Sequence, residues 1–188
     1  MKPRYEIPKV SWRRKTTLLA ITLILAACAD REVAAYGLSD AARETGFSPK
    51  LIRAIALEES RRIDPVDGVV RPWPWTLRAG DQGMFFETRR DAEKKLRELR
   101  YQGVTNIDVG AMQVNTRWNG HLAARPEDLL DPAVNLWAFT QVIRECQSRM
   151  SRVEQVIACY HTGRPNTERG RAYARRVLDR YRQMEKHT

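Results

Sequence analysis

A glutamate on the apolar face of a predicted helix is the residue of this sequence best suited to acid–base chemistry. A serine–proline pair is typical of helix starts, so a helix is predicted over residues 49–60. At about 100° per residue, Glu59 follows Ile55 on the apolar face, whereas Glu58 lies nearer its edge. A carboxyl group near apolar side chains has a raised pKa because burial disfavours its charged form. Glu59 is therefore a candidate general acid near neutral pH.

The same position is also compatible with a purely structural role. A glutamate near the end of a helix often turns toward solvent or pairs with an arginine, and Arg61 and Arg62 follow directly. The helix alone therefore leaves two interpretations of Glu59 open, a catalytic carboxyl group and a surface ion pair.

Two further segments carry polar side chains that suit sugar recognition. The first, residues 106–115, contains a Gly-Ala-Met-Gln run in which glycine permits a tight turn and methionine offers an adaptable apolar surface. Gln113 and Asn115 supply amide donors and acceptors suited to hydroxyl and acetamido groups. The second is the Tyr-His-Thr-Gly run over residues 160–163. Each run alone is also compatible with a turn in the core.

Helical patterns cover most of the remaining chain and are expected to position these segments. Two β-prone runs, residues 71–78 and 84–87, flank a Gly-rich turn and predict a small hairpin. Its four aromatic residues either stack on sugar rings or form a local core. The predicted fold class is mainly α with a small β-hairpin. Helices are predicted over residues 39–46, 49–60, 88–102, 131–150 and 166–184. A further helix is predicted to begin at a capping box formed by Ser151 and Glu154.

In order, these segments resemble the lytic transglycosylases of the soluble type, and especially their small relatives linked to secretion and conjugation systems. In that family the catalytic glutamate is followed by serine, as Glu59 is here. The family's Gly-Leu-Met-Gln is similar to residues 110–113, and its Tyr-Asn-x-Gly is similar to residues 160–163, where His161 replaces the asparagine. Asp131-Pro132 with Asn135 also matches, and the resemblance covers about residues 48–182.

The resemblance implies an α+β, lysozyme-like domain over residues 48–186, with residues 61–107 as an insertion. It implies cleavage of the β-1,4 bond between N-acetylmuramic acid and N-acetylglucosamine, with formation of a 1,6-anhydro product and no metal or cofactor. Glu59 would act as acid and then as base, and a hydrogen bond from Tyr160 would position it. The substrate-binding residues implied are Ser60, Met112, Gln113, Asn115, Tyr160 and His161.

Two other functions remain open at this point. A muramidase would hydrolyse the same bond and would need a second carboxylate, for which Asp108 is the candidate within a recognised motif. A peptidoglycan-binding lipoprotein would retain the fold without catalysis, although the Glu59-Ser60 pair argues against it.

The N-terminus predicts export. Residues 1–27 combine a basic stretch with a short apolar run, as in a signal peptide, and end in a Leu-Ala-Ala sequence before Cys28. This ending resembles the lipobox of bacterial lipoproteins and implies lipidation of Cys28, whereas ordinary cleavage after Ala29 is the alternative. Residues 28–47 are interpreted as a linker with a short helix. The expected location is the periplasm, with anchoring in the outer membrane.

Charge and cysteine content narrow the choice of partners. Residues 1–27 contain six Lys or Arg and one Glu, which is +5 of the formal charge of +10. The remaining charge of +5 over 161 residues is too small to indicate nucleic-acid binding, but it suits a polymer that bears carboxylates, such as peptidoglycan. Cys146 and Cys159 lie in successive predicted helices, where they form either a disulfide or two buried thiols. Their number and spacing predict no zinc site.

Overall fold

The computed structural model describes residues 36–186. The predicted signal peptide and Cys28 lie outside the described residues, and of the predicted linker only its short helix is described. We number the α-helices α1 (Leu38–Thr45), α2 (Pro49–Ser60), α3 (Arg89–Tyr101), α4 (Thr116–Asn119), α5 (Pro132–Arg149), α6 (Val153–Thr162) and α7 (Glu168–Lys186). Short 3-10 helices cover Gly120–Leu122 and Pro126–Leu130. Among the described residues, no helix is both long and apolar enough to cross a membrane.

Helix α2 forms the centre of the domain. The Ser48 hydroxyl accepts a hydrogen bond from the Leu51 N–H at 3.2 Å, which caps the helix as predicted. Its apolar face is fully buried, with Ile52 and Ile55 at most 1% exposed, and it packs against α1 and α7. Because this face is enclosed, any polar side chain along it is taken out of water.

The predicted hairpin is part of a larger antiparallel sheet. The strands are β1 (Arg61–Ile63), β2 (Val70–Pro72), β3 (Thr76–Ala79), β4 (Gln82–Phe85), β5 (Ile107–Val109) and β6 (Val114–Asn115). Strands β1 and β2 pair with each other, and the other four follow the order β4-β3-β5-β6. Arg78 of β3 lies opposite Asp108 of β5, which in turn lies opposite Asn115 of β6. The 61–107 segment is thus hydrogen-bonded directly to the Gly-Ala-Met-Gln region.

The C-terminal helices close the domain around α2. Helix α5 packs against α1 and α6, and α6 packs against α7. A disulfide joins Cys146 of α5 to Cys159 of α6, with 6.0 Å between the Cα atoms. Of the two interpretations of these cysteines, the structure therefore has the bridge.

Most predicted helices are confirmed to within a few residues, but the capping box at Ser151 is wrong. Helix α6 begins at Val153, and Arg152 is its N-cap without a side-chain hydrogen bond. The Arg152 carbonyl accepts hydrogen bonds from the N–H groups of Gln155 and Val156, both at 3.0 Å. The chain therefore enters the helix one residue later than a capping box would require.

Candidate active site

Glu59 lies in the last turn of α2 at the base of a groove of about 980 Å³. Its side chain is only 13% exposed. The groove is also lined by Asp108, Gln113, Tyr160 and His161, which come from three separate elements of the chain. The structure therefore brings together the candidate residues that the sequence places up to about a hundred positions apart.

Burial gives Glu59 the protonation state of a general acid. Desolvation raises its pKa to about 8, although a hydrogen bond from Tyr173 acts in the opposite direction. The Tyr173 hydroxyl donates to Glu59 Oε1 at 2.5 Å, and Tyr173 is itself 1% exposed. At neutral pH the carboxyl group is therefore mostly protonated, and one of its oxygens is held in a fixed position.

His161 presents a neutral ring to the same carboxyl group. Its ring stacks on Tyr173 with 4.1 Å between centroids, and Nδ1 lies 3.9 Å from Glu59 Oε1. Burial, together with the positive charges of Arg169 and other arginines, lowers the pKa of His161 to about 4. Arg169 Nε donates to His161 Nε2 at 3.3 Å, so the ring proton is assigned to Nδ1, which faces Glu59.

Glu58 points away from the groove, although it is the neighbour of Glu59. Its side chain is 8% exposed and lies within 3.4 Å of guanidinium nitrogens of Arg61, Arg176 and Arg180. Burial raises the pKa of Glu58, but its hydrogen bonds to Arg176 and Arg180 outweigh burial and leave the pKa below its usual value. Glu58 is therefore an anion that fastens α2 to α7, whereas Glu59 is a protonated acid.

The Gly-Ala-Met-Gln turn is fixed by close packing around Gly110. Gly110 has φ 81°, and a Cβ atom there would lie 2.5 Å from Asn135 Nδ2 and 2.7 Å from the Leu129 carbonyl oxygen. The buried Asn135 amide accepts from the Met112 N–H at 2.8 Å and donates to the Val109 carbonyl at 2.9 Å. Only glycine leaves room for this asparagine, which ties the turn to α5.

Ser60 and Tyr160 support the turn, which corrects two expectations. Ser60, predicted to bind substrate, is 1% exposed and donates its hydroxyl proton to the Ala111 carbonyl at 2.7 Å. The Tyr160 hydroxyl donates to the Met112 carbonyl at 2.5 Å, so it does not make the predicted hydrogen bond to Glu59. Tyr173 makes that bond instead. Tyr160 still lines the groove, whereas Ser60 lies behind it.

Met112 and Gln113 occupy opposite sides of the turn. Met112, also predicted to bind substrate, is 3% exposed and belongs to the hydrophobic core, because the turn directs its side chain inward. Gln113 has φ 53° and projects into the groove. Its Nε2 donates to the Gly110 carbonyl at 2.9 Å, whereas no described residue donates to its Oε1. Gln113 therefore has an amide oxygen available to a ligand.

Asn115 is a connecting residue at the edge of the groove. Its Nδ2 donates to Asp108 Oδ1 at 2.7 Å, and its Oδ1 accepts from the N–H groups of Arg117 and Trp118. Burial raises the pKa of Asp108, and the hydrogen bond from Asn115 partly offsets this effect. Most of the hydrogen-bonding capacity that suggested sugar binding at Asn115 is thus used to cap α4 and to hold Asp108.

Trp118 is an aromatic residue of the groove that the sequence patterns do not single out. It is 69% exposed and lies on α4, just after the Asn115 cap. By contrast, Trp73 of the hairpin region is 8% exposed, and its Nε1 donates to the Phe86 carbonyl. At least one aromatic residue of the hairpin region, Trp73, therefore belongs to a local core. The exposed aromatic ring of the groove is that of Trp118, which comes from α4. Its only sequence signal is its position three residues after Asn115.

The groove contains no cluster suited to a metal ion. Across residues 36–186, no group of three His, Cys, Asp or Glu side chains is arranged to hold one. Both cysteines of the disulfide line the groove beside Tyr160.

Comparison with known proteins identifies one family. Residues 38–182 match the protein-family model described as the transglycosylase SLT domain. No curated protein and no solved structure matches the chain.

Proposed function

We propose that this chain, which belongs to the transglycosylase SLT domain family, is a lytic transglycosylase of peptidoglycan in which Glu59 is both acid and base. The bond cleaved is the β-1,4 linkage between N-acetylmuramic acid and N-acetylglucosamine, and the product is a 1,6-anhydromuramoyl end. The observation that carries the proposal is the buried Glu59, with a pKa of about 8, at the base of a groove large enough for sugars.

In the first step Glu59 transfers its proton to the glycosidic oxygen. Burial keeps this proton on the carboxyl group at neutral pH, and the hydrogen bond from Tyr173 keeps that group in place. The bond between the anomeric carbon and the leaving oxygen breaks, and positive charge develops at the anomeric carbon. Glu59 is then a carboxylate with two groups directed at it, the Tyr173 hydroxyl and, at 3.9 Å, His161 Nδ1.

In the second step the Glu59 carboxylate takes the proton from the muramoyl 6-hydroxyl. The freed oxygen attacks the anomeric carbon and closes the anhydro ring, while Glu59 regains its proton. Water is not consumed, so the second carboxylate of a hydrolase is not required. The neutral His161 suits this cycle, because a donor without positive charge supports the carboxylate without making it too weak a base.

Gln113, Trp118 and Tyr160 are the groove residues that we assign to substrate binding. The free amide oxygen of Gln113 accepts from a hydroxyl or acetamido N–H group. The exposed Trp118 ring is suited to the apolar face of a sugar ring. Tyr160 lines the groove while its hydroxyl donates to the Met112 carbonyl.

The product of the reaction tests the proposal. Peptidoglycan sacculi digested with the protein are analysed by mass spectrometry for muropeptide ends. Anhydromuramoyl ends are expected, whereas reducing ends formed with uptake of water would assign a hydrolase.

The hydrolase remains the second candidate because of Asp108. This carboxyl group lines the same groove, and its charge contributes to the raised pKa of Glu59. In a hydrolase, Asp108→Asn would abolish cleavage because the base would be lost. In the transglycosylase, Asp108→Asn retains anhydro-product formation at a reduced rate, since Asn115 loses its charged partner.

We also propose that the protein is an exported lipoprotein of the periplasm, anchored in the outer membrane through Cys28. Two settings fit such a protein, cell-wall turnover and local opening of the wall for a secretion or conjugation machine. The N-terminal pattern over residues 1–28 supports export and lipidation. The disulfide between Cys146 and Cys159 supports an oxidising compartment. Palmitate labelling and membrane fractionation of wild type and Cys28→Ser test the anchor, which the variant is expected to lose.

A further inference from the structure

One wall of the groove carries two arginines without acidic partners. Arg164 lies in the turn between α6 and α7, and Arg169 lies in the first turn of α7. Both are exposed and line the groove that contains Glu59. Neither forms an ion pair with any residue in the 36–186 range. We call this pair the arginine wall.

The backbone that carries the arginine wall is well fixed. Gly163 adopts φ 68° at the end of α6, and the Thr162 hydroxyl donates to the Ala158 carbonyl at 2.8 Å. The same hydroxyl accepts from the Arg164 N–H at 3.2 Å. Arg169 is directed by its hydrogen bond to His161. The two cationic groups are thus presented from an ordered turn.

The acidic neighbour of Arg169 in the chain and one acidic residue of the groove lining are engaged with other arginines. Glu168 pairs with Arg171 at 2.9 Å and with Arg175 at 3.2 Å. Glu145, which also lines the groove, pairs with Arg149 at 3.2 Å. The unpaired charges of the wall are therefore positive.

The part of the groove lining that comes from the sheet has mixed charge. There, Arg78 lies in register with Asp108, and Asp81 lies at the hairpin turn. These acidic groups belong to the sheet, whereas the arginine wall belongs to the helical side, from which the positive charge of Arg169 partly offsets the raised pKa of Asp108. An anionic substituent of a bound glycan is consequently favoured on the helical side.

We propose that Arg164 and Arg169 bind a carboxylate carried by the lactyl arm of the muramoyl residue, so that acidic strands are preferred over neutralised ones. This inference rests on the proposed function, which requires the muramoyl residue to lie beside Glu59. Arg169 contacts His161, which in turn faces Glu59, so the wall is close to the reacting bond. A guanidinium group matches a carboxylate in charge and geometry.

Two substrate forms can supply this carboxylate. In peptide-free strands the lactyl group itself ends in a carboxylate, whereas in peptide-bearing strands the carboxylates belong to the attached peptide. The wall recognises the same chemistry in both forms, and separate arms of the experiment distinguish them.

Binding to matched glycans tests the proposal without relying on turnover. The Glu59→Gln variant is titrated with peptide-free and peptide-bearing strands, each used as prepared and after amidation of its carboxylates. We expect at least one acidic form to bind roughly threefold to tenfold more tightly than its amidated counterpart, as for exposed charge pairs. The form that loses affinity on amidation identifies the source of the carboxylate.

Arg164→Gln, made in the Glu59→Gln background, tests whether the arginine wall causes the preference for acidic strands. Arg169 is left intact because it also orients His161. We expect Arg164→Gln to weaken binding of the acidic form about threefold and to leave binding of the amidated form unchanged. The matched control is Arg53→Gln, which removes the same charge from an exposed position of α2 outside the groove.

Three results would overturn the inference. They are equal binding of acidic and amidated strands, equal effects of Arg164→Gln on both forms, and equal effects of Arg164→Gln and Arg53→Gln. None of them affects the proposed reaction, because anhydro-product formation by wild type is measured separately.

Discussion

At the scale of single residues, the site depends on how one carboxyl group is kept protonated. The sequence places Glu59 on the apolar face of α2, and its raised pKa follows from burial. Its hydrogen-bond partner could not be read from the sequence in the same way. Tyr173 lies 114 residues further along the chain, on an apolar stripe of α7 where a tyrosine is typical of a core position.

Removing the Tyr173 hydroxyl is expected to lower activity and shift its pH dependence. Because the hydrogen bond lowers the pKa of Glu59, Tyr173→Phe raises that pKa while the ring retains its stacking with His161. In wild type, activity falls as pH rises through about 8, because Glu59 loses the proton it donates. For the variant we expect a rate about tenfold lower than that of wild type and a loss of activity at a higher pH than in wild type. A pH–rate profile of both proteins measures the two effects.

Tyr181→Phe is the matched control for this prediction. It removes the same group from the same helix, eight residues away from Tyr173. A Tyr173→Phe enzyme with the rate and the pH profile of the Tyr181→Phe enzyme would exclude the positioning role of Tyr173.

At the scale of elements, the Gly110–Gln113 turn is where the predicted motifs meet. Ser60 from α2, Asn135 from α5 and Tyr160 from α6 each hydrogen-bond to the backbone of this turn or of its strand. The structure therefore brings the predicted motifs together at one turn, where several of their side chains hydrogen-bond to the protein backbone. Residue type alone could not separate this role from substrate binding, because hydroxyl and amide groups suit both.

Gly110→Ala is expected to destabilise the protein and abolish cleavage. The added Cβ would meet Asn135 and the Leu129 carbonyl at distances below 3 Å, and the φ of 81° disfavours alanine. We expect a loss of about 2–4 kcal/mol in the free energy of unfolding, measured with urea.

Gly83→Ala serves as the control for Gly110→Ala. Gly83 lies in β4 without a positive φ, and a Cβ there has no neighbour within 4 Å. Equal stability losses in the two variants would contradict the packing argument.

The contact between α2 and α7 depends on Glu58. Glu58→Gln removes the charge that Arg176 and Arg180 surround, and it is expected to lower the free energy of unfolding by about 2–3 kcal/mol at pH 7. Since folding lowers the pKa of Glu58, its contribution is present above the unfolded pKa near 4.5 and is lost as pH falls further. Urea unfolding at pH 7 and at lower pH checks both statements.

Glu154→Gln is the control for this charge removal. Glu154 is 57% exposed, and its nearest arginine nitrogen is 4.0 Å away, so its loss should change stability little. A Glu58→Gln protein as stable as Glu154→Gln at pH 7 would refute the role of Glu58.

At the scale of the whole molecule, the order of the helices and the hairpin could be predicted, whereas the sheet could not. Helices such as α2 and α5 have strong caps and apolar periodicity. Strands β5 and β6 are only three and two residues long, so they carry no alternating pattern. The pairing of β5 with β3 is a long-range contact, and for that reason the 61–107 segment was interpreted as a separate insertion.

The protonated Glu59 also links stability to pH. Folding raises its pKa from 4.5 to about 8, so the folded state binds a proton that the unfolded state releases between these values. Wild type therefore loses stability relative to Glu59→Gln as pH rises from about 4.5 to 8. The gap should reach on the order of 5 kcal/mol at higher pH, and urea titrations over this range measure it. A gap independent of pH would contradict the buried, protonated acid.

The central claim is that Glu59 alone performs both proton transfers. The most direct measurement is mass spectrometry of sacculi digested with wild type and with Glu59→Gln, after circular dichroism has established that both are folded. We predict anhydromuramoyl ends with wild type and no cleavage with the variant, because glutamine can neither donate nor accept the proton. Anhydromuramoyl ends from a folded Glu59→Gln variant at the wild-type rate would contradict the account.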